Sequence, residues 1–138
     1  MTADPVRTER LRLGRSAGMH VLAAVVFGLL AWSGVAMLGP HSNGMAVPFL
    51  IAGAAGCVGS VVIAASVRRQ RATLRNGSGA QRAARLGMAA AAVAAMVAGF
   101  VLAPAGMDRG FVIGVALFHA LLLAAYALLS GDRPRVTS

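Results

Sequence analysis

The feature that most constrains this chain is the length of its uncharged stretches. No Asp, Glu, Lys or Arg occurs between Arg15 and Arg68, and residues 86–107 and 110–131 are interrupted only by the pair Asp108 and Arg109. About 20 apolar residues of α-helix cross the ~30 Å hydrocarbon core of a bilayer. The first stretch is long enough for two crossings, and each of the other two is long enough for one. The sequence therefore predicts an integral membrane protein.

A cluster of turn-forming residues at 39–44 divides the first stretch into two apolar segments. Backbone polar groups in lipid must be satisfied within the segment, and residues 89–95 do not alternate as a barrel strand does. We therefore predict an all-α fold, a four-transmembrane-helix bundle made of two helical hairpins. The transmembrane domain is predicted at residues 17–130, with spans at about 17–38, 46–67, 86–103 and 110–130.

Arginine placement predicts the orientation of the bundle. All 13 basic residues are arginines, and all but Arg109 lie in a basic tail (1–16), a central loop (68–85) and a second tail (131–138). The positive-inside rule then assigns both termini and the loop to the cytoplasm. A basic start followed by an apolar run also marks cleaved signal peptides, but this run exceeds the usual 7–15 residues or so and lacks a clear A-x-A site. We expect a multi-pass protein of the plasma membrane.

The net charge of +9 has the same topological cause. A soluble chain this basic suggests nucleic-acid binding, but no aromatic residues interleave with the arginines to stack on bases. We expect no nucleic-acid partner and predict contacts with anionic lipid headgroups, at roughly 1 kcal/mol per arginine. The predicted contacts are all in the central loop: Arg68, Arg69, Arg71, Arg75, Arg82 and Arg85.

The connections between spans also carry signals. The central loop is predicted to contain two short helical extensions, 68–75 and 80–85, around a glycine-rich hinge at 76–79. Pro104 removes a backbone N–H and disfavours helix at the residue before it, so it is expected to end the third span.

Small residues recur four apart in three spans, a spacing that lets helix backbones approach closely. We expect most of them to pack the bundle itself, with a homodimer contact as the alternative. They are Ala52, Gly56 and Ser60, then Ala91, Ala95 and Gly99, and finally Gly110 and Gly114.

The motifs of the common catalytic classes are missing from the sequence: it has no P-loop, GxGxxG, CxxC, HExxH or GxSxG. Cys57 is the single cysteine, so it cannot form an intramolecular disulfide. The small four-helix multidrug exporters resemble this chain in length and number of spans. They exchange protons at a glutamate in the first span, whereas residues 17–38 contain no carboxylate. The resemblance is one of size alone, and we predict neither enzymatic activity nor a cofactor.

His119 is the polar residue predicted to lie deepest, about 12 Å below the outer end of the fourth span. Polar groups at that depth usually face the bundle interior, and Tyr126 and Ser130 share its helical stripe. By depth, its partner is Cys57 or a backbone carbonyl of the facing span. Together with Trp32, a little shallower, these residues form a candidate intramembrane polar site: His119, Tyr126, Cys57 and Trp32.

His20 is predicted to lie only 4–5 Å or so inside the cytoplasmic face, where water can solvate it. The resulting gap of roughly 10 Å in depth disfavours His20 and His119 as ligands of one haem iron, and leaves His119 with Met96 as the haem alternative.

Three functions follow from these observations. The leading hypothesis is a non-enzymatic accessory or interaction protein whose partners are the lipid bilayer, another membrane protein or a second copy. The alternative is a small-solute transporter or channel that works as an oligomer with His119 in its pathway. A haem or redox membrane protein ranks third.

Overall fold

Four long helices make up the ordered architecture. The computed structural model describes residues 4–39, 43–73, 79–106 and 108–131, and within these ranges it contains no strand. The helices are α1 (Pro5–Ala36), α2 (Asn43–Thr73), α3 (Gly79–Leu102) and α4 (Arg109–Leu129). Each is long and apolar enough to cross a membrane. The predictions of an all-helical fold and of four helices long and apolar enough to cross a membrane are confirmed for the described residues.

Helix α1 begins at Pro5, well before the predicted span at Ala17. Asp4 caps it, because its Oδ1 accepts a hydrogen bond from the Val6 N–H at 3.0 Å. Proline in the first turn loses no helical hydrogen bond, since that N–H has no partner in a helix anyway. The stretch 5–16, predicted as a basic tail, is therefore a continuation of the first transmembrane helix.

The connections agree with the sequence in part. Helix α2 runs on to Thr73, which confirms the helical extension after Arg68 over its described part. Helix α3 already includes Gly79, which the prediction had placed in the hinge, while residues 74–78, with Arg75, lie outside the described residues. Helix α3 ends at Leu102, just before Pro104 as predicted, and Gly106 (φ 143°) occupies the following turn in a conformation that favours glycine.

Helix α2 is the centre of the bundle. It packs against α1, α3 and α4, and α3 packs against α4. Among the described residues, no Cα of α1 lies within 8 Å of a Cα of α3 or α4. The core between α2, α3 and α4 contains the fully buried side chains of Ile63, Met88 and Leu123, surrounded by alanines. Helix α1 is thus a peripheral helix held mainly by α2.

Close backbone approach explains why small residues line α2 and α3. A Cβ added to Gly56 would overlap the Phe27 ring of α1, and one added to Gly99 would overlap Ala116 of α4. Ala52, Ser60 and Ala95 are fully buried. The prediction that the small residues of these two spans pack the bundle is confirmed.

The same prediction is wrong for α4. A Cβ added to Gly110 or Gly114 would meet no atom within 4 Å. The reason is helical geometry: the buried stripe of α4 includes Val112, Ala116 and Ala120, and at 100° per residue the two glycines fall on the other side of the helix.

The arginines collect at one end of the bundle. The Arg71 guanidinium of α2 lies against Gly14 of α1, and Arg85 Nε of α3 donates a hydrogen bond to the Ala127 carbonyl near the end of α4. Arg109 begins α4 at the opposite end. We call the first end the basic end, and its described arginines are Arg7, Arg10, Arg12, Arg15, Arg68, Arg69, Arg71, Arg82 and Arg85.

Candidate functional site

A polar side-chain bridge joins α1 to α4 in the half of the bundle nearer the basic end. His20 Nδ1 lies 2.7 Å from the Tyr126 hydroxyl, and the two rings meet edge to face with centroids 5.9 Å apart. The Phe27 ring packs on Tyr126 at 5.4 Å. Because no described Cα of α1 lies within 8 Å of a Cα of α4, side chains make the contact between these two helices.

Ser60 of α2 adds a third polar group to the bridge. Its side chain is fully buried, and its hydroxyl lies beside the Tyr126 phenol. When His20 is neutral with no proton on Nδ1, that nitrogen accepts a hydrogen bond from the Tyr126 hydroxyl. When Nδ1 carries a proton, in the other neutral tautomer or in the imidazolium, it donates a hydrogen bond to the phenol oxygen. The contact is therefore compatible with either charge state of His20. We refer to His20, Tyr126 and Ser60 as the bridge cluster.

His119 occupies a separate, aromatic environment closer to the opposite end. Its side chain is only 7% exposed, which confirms the prediction that it faces the bundle interior. The ring packs against Phe49 of α2 with centroids 4.0 Å apart and meets Phe118 edge to face at 5.5 Å. The phenylalanines therefore enclose His119 on two sides.

The predicted hydrogen-bond partner of His119 is wrong. Its Nδ1–H donates to the Val115 carbonyl of its own helix at 2.7 Å, and not to Cys57 or to a carbonyl of a facing span. Helical side chains lean toward the N-terminus of their helix, which brings a histidine ring over the carbonyl one turn back. The bond fixes the proton of a neutral ring on Nδ1.

The four residues of the predicted polar site do not form one group. Tyr126 is seven residues beyond His119, or about 10 Å along α4, and belongs to the bridge cluster. Cys57 faces α1, where a Cβ added to Gly28 would lie 3.7 Å from its Sγ. Trp32 is 71% exposed on the surface of α1.

His20 is the residue that sequence reasoning misjudged. It is half-buried and paired with Tyr126, whereas we expected water to solvate it. The sequence does contain a signal for this pairing. His20 lies near the start of a span that leaves the basic end, and Tyr126 lies near the end of a span that returns to it, so both lie at similar depth.

The arginines of the central loop divide into two kinds. Arg68, Arg69, Arg71 and Arg82 are exposed at the basic end. Arg85 is half-buried, and its bond to the Ala127 carbonyl at 2.8 Å places a cation at the C-terminus of α4, where helix carbonyls lack intrahelical donors. Arg85 therefore fastens α3 to α4.

Helix α4 presents an outward face that is apolar. Gly110 and Gly114 share this face with the exposed side chains of Phe111, Phe118 and Leu121, which are 66%, 63% and 67% exposed. We call these five residues the outward α4 face. Gly18 of α1 and Gly87 of α3 are also open, but neither has a second open glycine four residues away.

No protein-family model matches the chain, and neither a curated protein nor a solved structure is significantly similar to it. Within the described residues, no group of three or more His, Cys, Asp or Glu side chains is arranged to hold a metal ion.

Proposed function

We propose that this membrane protein is a non-enzymatic accessory or interaction protein that binds a transmembrane helix of a partner through the outward α4 face. The observation that carries this proposal is the open pair Gly110 and Gly114, where an added Cβ would meet no atom of the described residues within 4 Å. The partner helix belongs to another membrane protein or to a second copy of this chain.

The energetics of glycine support this assignment. Glycine inside a helix is destabilising by roughly 1 kcal/mol relative to alanine. Gly56 and Gly99 compensate by allowing close packing within the bundle, whereas no described residue lies close enough to Gly114, in the interior of α4, to require glycine there. A partner helix seated on the outward α4 face would gain the same close van der Waals contact between backbones.

A photo-crosslinking experiment tests this proposal. A benzoylphenylalanine placed at Phe118 is expected to give a discrete protein crosslink in native membranes that Gly114→Leu abolishes, because the leucine prevents the close approach of the partner helix. Gly18→Leu is the matched control, since Gly18 is equally open but lies on α1, and it is expected to leave the crosslink in place. Crosslinks to lipid alone from position 118 would contradict the proposal.

The proposal also assigns the basic end to the cytoplasm and the protein to the plasma membrane. This orientation is supported by the positive-inside rule, because every described arginine except Arg109 lies at the basic end. Reporter fusions at Ser138 and within residues 76–79 are then expected on the cytoplasmic side, and fusions at Asn43 and Asp108 on the outside. An external signal from the fusion at Ser138 would contradict this orientation.

Anionic lipid headgroups are the proposed partners of the exposed loop arginines. Side chains of α2 lean toward the start of their helix, so Arg68, Arg69 and Arg71 lean back toward the membrane. Their attraction to anionic lipid is expected to be worth roughly 1 kcal/mol each and to weaken with salt. Arg85 is the exception, because the Ala127 carbonyl already engages it.

The bridge cluster favours a second candidate function, a small-solute pathway in an oligomer that runs past Ser60 and His119. Ser60 and His119 are polar side chains buried inside an otherwise apolar bundle, and polar residues in that position often line a solute pathway. Solute flux into liposomes separates the candidates. A pathway predicts flux that Ser60→Ala and His119→Leu both reduce, whereas an interaction protein predicts no flux above that of empty liposomes.

A further inference from the structure

Helix α1 is longer than the membrane requires. Its 32 residues extend for about 48 Å, while the hydrocarbon core is ~30 Å thick. The apolar part of α1 begins at Ala17, so the surplus lies at the start of the helix, in residues 5–16. We call this segment the α1 extension.

The α1 extension carries a stripe that is both basic and apolar. Arg7, Leu11 and Arg15 are spaced four residues apart and therefore share one side of the helix. Leu13 and Ala17 pack toward the core from the opposite side. All three residues of the stripe are exposed, with Leu11 at 65%.

Height distinguishes the first part of the stripe, Arg7 and Leu11, from the arginines of α2, whereas Arg15, about 3 Å beyond Ala17, lies at headgroup height. At 1.5 Å per residue, Leu11 lies about 9 Å and Arg7 about 15 Å beyond the level of Ala17. The headgroup layer is only about 5–7 Å thick on each side of the membrane. Side chains of α1 lean toward its N-terminus, which takes Arg7 still further from the lipid, whereas Arg68 and Arg69 of α2 lean back toward it.

We infer that the stripe Arg7–Leu11–Arg15 is a docking surface for an acidic amphipathic helix of a soluble protein. Two guanidinium groups on either side of a leucine match two carboxylates on either side of an apolar side chain, and arginine binds carboxylates through paired hydrogen bonds. With the hydrocarbon boundary taken at Ala17, Leu11 lies just outside the headgroup layer, and we assign a protein surface to cover it. This inference rests on the proposed function, because it requires the basic end to face an aqueous compartment that contains proteins.

The test uses the full chain in nanodiscs of zwitterionic lipid. The probe is a fluorescent synthetic helix with glutamates on both sides of a leucine stripe, and its binding is measured by fluorescence anisotropy. Arg7→Gln is expected to weaken binding about fivefold and Leu11→Ser about tenfold. The double variant Arg68→Gln/Arg69→Gln is the matched control, because it removes two exposed arginines at headgroup height, and it is expected to bind as the unaltered protein does.

Several outcomes would overturn the inference. One is that the peptide does not bind the unaltered protein. Another is that the Arg7→Gln and Leu11→Ser variants bind the peptide as tightly as the unaltered protein does. Binding to vesicles of 25% phosphatidylglycerol that requires both Arg7 and Leu11 would assign the stripe to lipid instead. Gly114→Leu is expected to leave peptide binding unchanged, so failure of this surface and failure of the outward α4 face give different results.

Discussion

Gly53 of α2 and Gly114 of α4 are the same residue in the same kind of apolar helix, yet their surroundings are opposite. A Cβ added to Gly53 would overlap the backbone of Ala31 in α1, whereas one added to Gly114 would meet no atom within 4 Å. Small residues thus serve two purposes in this chain. In α2 and α3 they bring the helices of the bundle together, whereas Gly110 and Gly114 of α4 lie open on its surface.

Alanine substitutions test the contrast between packed and open glycines, and they have the largest expected effect on stability. Gly53→Ala is expected to destabilise the bundle by about 1–3 kcal/mol, because α1 must move away from α2 to admit the methyl group. Thermal unfolding in detergent measures the loss.

Gly18→Ala is the matched control for this prediction. Gly18 is open and helical, so alanine there is expected to be neutral or to add up to about 1 kcal/mol through its better helix propensity. Equal unfolding temperatures for Gly53→Ala and Gly18→Ala would refute the close contact between α1 and α2.

The arginines of α3 allow a similar comparison between a bound and a free side chain. Arg85→Gln is expected to cost up to about 2 kcal/mol, because it removes the cation and the hydrogen bond at the C-terminus of α4. Arg82→Gln changes an exposed side chain one turn away and is expected to leave the unfolding temperature within experimental error. If the two variants unfold alike, Arg85 does not fasten α3 to α4.

A double-mutant cycle measures the side-chain contact that holds α1 to α4. Combining His20→Leu with Tyr126→Phe is expected to give a coupling energy of about 0.6–1.7 kcal/mol, the range for hydrogen bonds between membrane helices. Chemical unfolding of the four proteins of the cycle yields this energy. Additive effects would show that the two side chains are not bonded in the folded protein.

His119 gives the smallest expected effect, because its hydrogen bond lies within its own helix. His119→Leu keeps an apolar contact with Phe49 and is expected to change stability by less than about 1 kcal/mol. The unfolding temperature of the variant checks this. A large loss would mean that His119 holds helices together through its ring nitrogens.

Charge spacing is the strongest signal in the sequence, and together with the turn cluster at 39–44 it is sufficient to predict four helices. Burying a charge in lipid is so costly that each uncharged run delimits a crossing. The same physics does not say where a helix ends in water, so the extension of α1 back to Pro5 depends on the Asp4 cap and not on hydropathy.

Which side of each helix faces its neighbours is harder to predict. In α4 the stripe of His119 and Tyr126 marks the buried side, but the apolar residues lie on every side, so their pattern does not show that Gly110 and Gly114 are open. The pairing of His20 with Tyr126 depends on equal depth across two spans, a relation that appears only when the spans are aligned with each other. The own-helix bond of His119 depends on side-chain direction, which spacing alone does not reveal.

The size of the complex extracted from native membranes shows directly whether the outward α4 face binds a partner helix. We expect the unaltered chain, which has a mass of 14.0 kDa, to migrate on a native gel as part of a larger assembly. Gly114→Leu is expected to reduce the assembly to the size of the lone chain in its detergent micelle without lowering the unfolding temperature of the chain. Gly18→Leu is expected to change neither the size of the assembly nor the unfolding temperature. Assemblies of unchanged size in Gly114→Leu would contradict the account, because the outward α4 face would then hold no partner.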